Sequence, residues 1–109
     1  MRYYIRKGEE KVRNLDKLLE EAIDEGLNVL GKSGKQMLFF HLEKSYSLTK
    51  HEITKKPEVF ETAIHQIFGA GAPVLEKLIV ESVYSKLGLT YHEKKKYTFS
   101  DYLKGIVMI

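Results

Sequence analysis

Four stretches of this chain carry apolar residues at every third or fourth position, and glycine or proline punctuates their ends. That spacing constrains the fold more than any other feature. A period near 3.6 gathers apolar side chains on one stripe of an α-helix, whereas a half-buried β-strand needs alternation. In the first stretch the stripe is Val12, Leu15, Leu18, Leu19, Ala22 and Ile23, set among Lys, Asp and Glu. Glu9 and Glu10 suit its first turn, where the helix dipole favours carboxylates. Gly26 reads as the residue just past its end. Ser33 reads as the cap of a second helix over Gly34 to Tyr46, apolar on several sides through Met37, Leu38, Phe39, Phe40 and Leu42. A helix of that kind is central to a core or faces a partner.

Pro57 suits the first position of a third helix, where its missing N–H costs nothing. The inner face of that helix is Phe60, Ala63, Ile64, Ile67 and Phe68. Pro73 opens a fourth, lined by Leu75, Leu78, Ile79, Val83, Tyr84 and Leu87 and stopped by Gly88. Thr49 with Glu52, and Thr98 with Asp101, have the spacing of capping boxes and predict a short helical turn and a short final helix over "SDYLKGIVMI". The strand candidates "MRYYI" and "KYTF" are too few and too short for a sheet. The expected fold is therefore all-α: one domain over residues 1–109, a compact bundle of four main helices with one or two short extra ones. Short loops predict that sequence neighbours pack together.

Size and composition exclude several classes. A chain of 109 residues, 43% hydrophobic and 30% charged, is one ordinary globular domain able to bury a core without staples. It has no cysteine, hence no disulfide, thiolate metal site or cysteine nucleophile. No uncharged apolar run is long enough for a membrane span, and "MRYYIRKGEEK" lacks the apolar core of a secretory signal. The expected location is cytoplasmic, with no membrane partner. Net charge is +3, a surplus that permits nucleic-acid contact without demanding it.

The glycine-rich corner "IFGAGAPVLEKLI" invites a nucleotide reading. Gly69 and Gly71 fit the first two positions of G-x-G-x-x-G, but the third is Val74 and a helical segment precedes the motif in place of a strand. "GLNVLGKS", from Gly26 to Ser33, fits the Walker spacing. It too follows a helix, with Glu20, Glu21, Asp24 and Glu25 close by to repel phosphate. Both glycine stretches read as helix junctions. His41, His51, His65 and His92 show no metal-binding spacing and read as solvated or core-edge side chains. No serine sits in a nucleophile elbow. A DNA-reading helix–turn–helix would present Glu76, Lys77, Glu81, Ser82, Ser85 and Lys86 outward, and the carboxylates there oppose phosphate. No catalytic residue, metal ligand or cofactor is assigned, and the chain is not expected to be an enzyme.

The order of motifs over residues 27–91 carries a resemblance. His41 to Tyr46 reads "HLEKSY", followed by "LTKHEI", "KPEVF", "IFGAG", "LEKLI" and "YSKLGL". This succession resembles the small archaeal all-α Nitrosopumilus output domain family. The resemblance implies an archaeal cytoplasmic module attached to sensing or signalling, without known catalysis or cofactor, and it transfers no functional residues. With no sensor domain in the sequence, an output role is expected of a free subunit.

The resulting expectation is a regulatory or signalling-associated protein-interaction module, self-associating as a homo-oligomer. Its candidate surface is Met37, Phe39, Phe40 and His41, with the apolar ends "MRYYI" and "GIVMI". The alternative is a nucleic-acid-binding protein using Lys94, Lys95, Lys96, Lys55, Lys56 and the N-terminal arginines.

Overall fold

A computed structural model describes the backbone of residues 9–107 and the side chains of residues 15–106. "MRYYI", the side chains of Arg2, Arg6 and Arg13, and the last residues of "GIVMI" lie outside this set. The described chain is all-α. Helix α1 spans Glu9–Gly26, α2 Gly31–Tyr46, α3 Pro57–Phe68, α4 Ala72–Lys86 and α5 Phe99–Val107. Short 3-10 turns cover Asn28–Leu30, Lys50–Glu52 and Gly69–Gly71. Three helices are long, with 18, 16 and 15 residues, while α3 has 12 and α5 has 9. No strand forms among the described residues, and "KYTF" runs from a turn into the start of α5.

Local chemistry fixes most boundaries. Pro57 is the first residue of α3, and Pro73 the second of α4. The N–H of Thr49 donates to the Glu52 carboxylate at 2.9 Å, which holds that carboxyl below its ordinary range. The N–H of Thr98 donates to Asp101 at 3.0 Å, and the N–H of Asp101 returns to the Thr98 hydroxyl at 3.1 Å, so the box before α5 is reciprocal. Gly88 adopts φ 71° and closes α4: its N–H donates to Ser85 O at 3.1 Å and that of Leu89 to Tyr84 O at 2.8 Å.

One boundary differs from the sequence reading, and one glycine has a second part to play. Ser33 caps nothing, because α2 begins at Gly31, where φ is 78°, and its start has no side-chain cap. Gly26 does not end α1 in a left-handed conformation. It is the last residue of α1 and is buried against α4, where an added Cβ would stand 2.6 Å from Ile79 Cα. Glycine is needed there for close approach of two backbones.

That contact belongs to the main helix pair. Helix α1 packs chiefly on α4, its most distant long neighbour in sequence, while α3 meets α4 and α5 and α2 lies against α3. Sequence adjacency therefore predicts the packing of α3, α4 and α5 and misses that of α1. The core takes Leu15, Leu19, Ala22 and Ile23 from α1 and Leu75, Ile79, Val80 and Val83 from α4. Phe60 of α3 and Phe99 of α5 join it ring to ring, with centroids 5.3 Å apart. Val80, absent from the predicted inner face, is buried, whereas Ile67 is 37% exposed. Helix α2 is not central: only Leu38 and Leu42 of it are buried.

Replacement of Gly26 by Ala should destabilise the fold by about 1–3 kcal/mol through this backbone clash. Gly105→Ala, on α5 with open space around its Cβ position, should instead be neutral or stabilising by up to about 1 kcal/mol. Urea denaturation of the two variants tests the contrast.

Candidate functional site

The residues nominated from sequence fall in three places: on α2, in the connection between α4 and α5, and in the turn before α3. On α2, Met37 is 68% and Phe40 60% exposed, one helical turn apart. His41 is also exposed and meets Tyr46 edge-on at 5.9 Å, and the Lys44 ammonium lies 5.6 Å from the Phe40 ring centroid. Phe39 departs from this set. It is half-buried against the core with Lys50 above its ring at 5.4 Å, so it supports the fold and does not extend the free surface.

Lys94, Lys95 and Lys96 are exposed in the connection between α4 and α5. Lys94 lies 4.8 Å from the centroid of Tyr97, itself 46% exposed. Lys55 and Lys56 sit in the turn before α3, where Lys56 pairs with Glu52 at 3.7 Å. The face of α4 that a helix–turn–helix would turn to DNA is partly covered. Lys86 pairs with Glu25 of α1 at 2.9 Å, Ser82 reaches the same carboxylate at 3.4 Å, and Glu76 is largely buried. The Walker-like stretch cannot wrap a phosphate either, since its first glycine is wedged on Ile79 and no strand leads into it.

The connection Gly88–Thr98 is pinned by aromatic rings. Tyr102 of α5 stacks with Tyr97 at 5.0 Å and Tyr91 at 5.7 Å, and Tyr84 of α4 meets Tyr91 edge-on at 5.7 Å. The Tyr102 hydroxyl accepts the N–H of Lys94 at 2.8 Å. Between this cluster and the first turns of α4 lies a cleft of 340 Å³, with Val74, Glu76, Lys77, Tyr91 and Tyr97 among its walls. Its size is at the lower end for small-molecule sites.

At the edge of that cleft, α3 and α4 bring together Glu61, His65 and Glu76. Glu61 and His65 are one turn apart on α3, and Glu76 follows on the second turn of α4. The three donor atoms all lie within 4.8 Å of one another. His65 Nε2 stands 3.0 Å from Glu76 Oε2, a buried oxygen that receives no well-directed hydrogen bond. Burial pushes the Glu76 carboxyl above its ordinary range, and His65 acts against that shift. Glu61 accepts the N–H of Ser100, in the first turn of α5, at 3.3 Å.

Comparisons of the chain with protein-family models, curated proteins and solved structures find no match. The site is therefore read from its own chemistry.

Sequence spacing alone did not single out this cluster. The signal was present in Glu61 and His65, four apart on a helix, but their partner Glu76 lies beyond the glycine corner and read as an outward residue. The tyrosine cluster was hidden likewise, because its members come from two helices and a loop.

Burial, followed by the neighbouring Tyr102 hydroxyl, pushes the Tyr91 phenol up to about 12. Spectrophotometric titration should show a late-ionising tyrosine that Tyr91→Phe removes. The unfolded phenol ionises near 10, so the stability linked to this group is complete below pH about 10 and lost between about 10 and 12. No described helix is long and apolar enough to cross a membrane.

Proposed function

We propose that this chain is a small cytoplasmic helical interaction module, regulatory or signalling-associated, that works by burying the Met37–Phe40 face of α2 against a second protein, with another copy of the chain as its partner. In this reading α1, α2, α3 and α4 are the main helices of one bundle and α5 is the short addition. The exposed pair on α2 carries the proposal: Met37 is 68% and Phe40 60% exposed, while Leu38 and Leu42 of the same helix are buried. Methionine and aromatic side chains are enriched at protein interfaces, and the flexible thioether adapts to a partner surface. Covering each side chain is worth roughly 1–2 kcal/mol, given how much is already shielded. The likeness to the archaeal output-domain family supports the signalling association, and no reaction is assigned.

Light scattering on the purified chain should show a dimer or larger. Met37→Glu with Phe40→Glu should return it to monomer while circular dichroism keeps the wild-type helical signal and the unfolding midpoint loses its dependence on protein concentration. A wild-type chain that remains strictly monomeric at high concentration overturns the self-association.

A second reading rests on the Lys94–Tyr97 turn, where three exposed lysines adjoin an exposed aromatic ring. Such a surface can hold single-stranded nucleic acid by charge and stacking. Under that reading a gel shift with single-stranded RNA at low salt weakens steeply as salt rises, and Lys95→Ala with Tyr97→Ala reduces it. Absence of any shift at low salt removes the reading.

A further inference from the structure

We propose that Glu61, His65 and Glu76 form a binding site for a divalent transition-metal cation of the Zn2+ class, a role beyond the interaction function above. Two helices supply the donors, α3 as the Glu61–His65 pair and α4 as Glu76, so the set is held by packed elements on both sides.

The atoms of His65 and Glu76 approach to 3.0 Å, the distance of an ion pair, without a well-directed hydrogen bond. Two ligands of one tetrahedral cation, each bound at about 2.1 Å, stand about 3.4 Å apart, with lone pairs directed to the shared centre and not to each other, so this pair needs to open by only about 0.4 Å. The remaining donor lies within 4.8 Å, so closing the set needs an inward shift of up to about 1.4 Å at its outermost atom, within the reach of a side-chain rotation.

Donor chemistry selects the cation. One imidazole and two carboxylates suit Zn2+ and its first-row neighbours, whereas Mg2+ and Ca2+ favour oxygen donors alone. Three protein ligands leave a coordination position for water. The exposed side of His65 opens on a shallow depression shared with Glu58, Thr62 and Gln66, which provides the entry path. The Ser100 N–H on Glu61, at 3.3 Å, orients that ligand from behind. A bound cation would also supply the partner that the buried Glu76 Oε2 lacks.

The test titrates the full, chelator-treated chain with Co2+ and then Zn2+. The expected result is one Co2+ per chain with visible d–d absorption, displaced by Zn2+. His65→Ala and the isosteric Glu76→Gln should each weaken binding at least about tenfold, with His41→Ala, on the exposed face of α2, unchanged. Circular dichroism of the metal-free variants checks that they fold. Histidine-ring NMR of the wild-type chain gives a readout free of mutation, in which Zn2+ should shift His65 and leave His41 in place. Absence of saturable uptake, or uptake that neither variant weakens and that leaves the His65 ring unmoved, overturns the proposal.

Discussion

The close approach of α1 and α4 at Gly26 sets the arrangement of the remaining helices. With no side chain at 26, the backbone of α1 comes near enough to Ile79 that a Cβ would lie 2.6 Å from its Cα. At that separation Leu19, Ala22 and Ile23 join Ile79 and Val83 in one layer. Helix α4 thereby gains cover along α1 and keeps its other sides for α3 and α5. Its buried residues, Leu75, Ile79, Val80 and Val83, include adjacent positions 79 and 80, as expected of a helix flanked on several sides. The central helix is α4, and α2, with Met37 and Phe40 exposed, lies outside it.

Polar groups reinforce the same arrangement. The acidic stripe of α1 is engaged from three other segments: Asp24 takes Lys35 of α2 at 2.9 Å, Glu20 meets the His51 ring at 3.0 Å, and Glu25 takes Lys86 of α4 at 2.9 Å. Exposed pairs of this kind contribute about 0–1 kcal/mol each. Their larger effect is on register, since a slip of α1 along α4 would separate several of them together. Helix α2 is tied to α1 mainly through Lys35, which leaves Met37 and Phe40 on the free side.

The sequence made the elements more legible than their meeting. Apolar period, Pro57, Pro73, Gly88 and both capping pairs marked helices and ends because each acts within a few residues. Gly26 marks the end of α1 as its sequence implies, but a glycine after an apolar stripe is the ordinary sign of a helix end, and the close backbone crossing it also permits leaves the same letter. Met37, Phe39 and Phe40 were indistinguishable by composition. Only the packed structure separates Phe39, which supports the core under Lys50, from the two that stay open. The tyrosine cluster and the Glu61–His65–Glu76 set lay deeper still, since each joins residues across a turn or from different helices, and no local pattern encodes that distance.

The corner from Gly69 to Gly71 connects these levels. Its pattern departs from the dinucleotide fingerprint at Val74, yet its geometry decides which side chains meet. Gly69 adopts φ 54°, a conformation that a side chain would strain, and the reversal into α4 takes three residues. A turn that short fixes the last turns of α3 beside the first turns of α4, and so sets His65 against Glu76. A longer, flexible connection could join the same two helices, but the reach of each added residue would loosen their relative register. A donor set with 3.0 Å between two of its atoms tolerates little of that. The glycines thus shape the candidate metal centre from outside it, through backbone conformation alone.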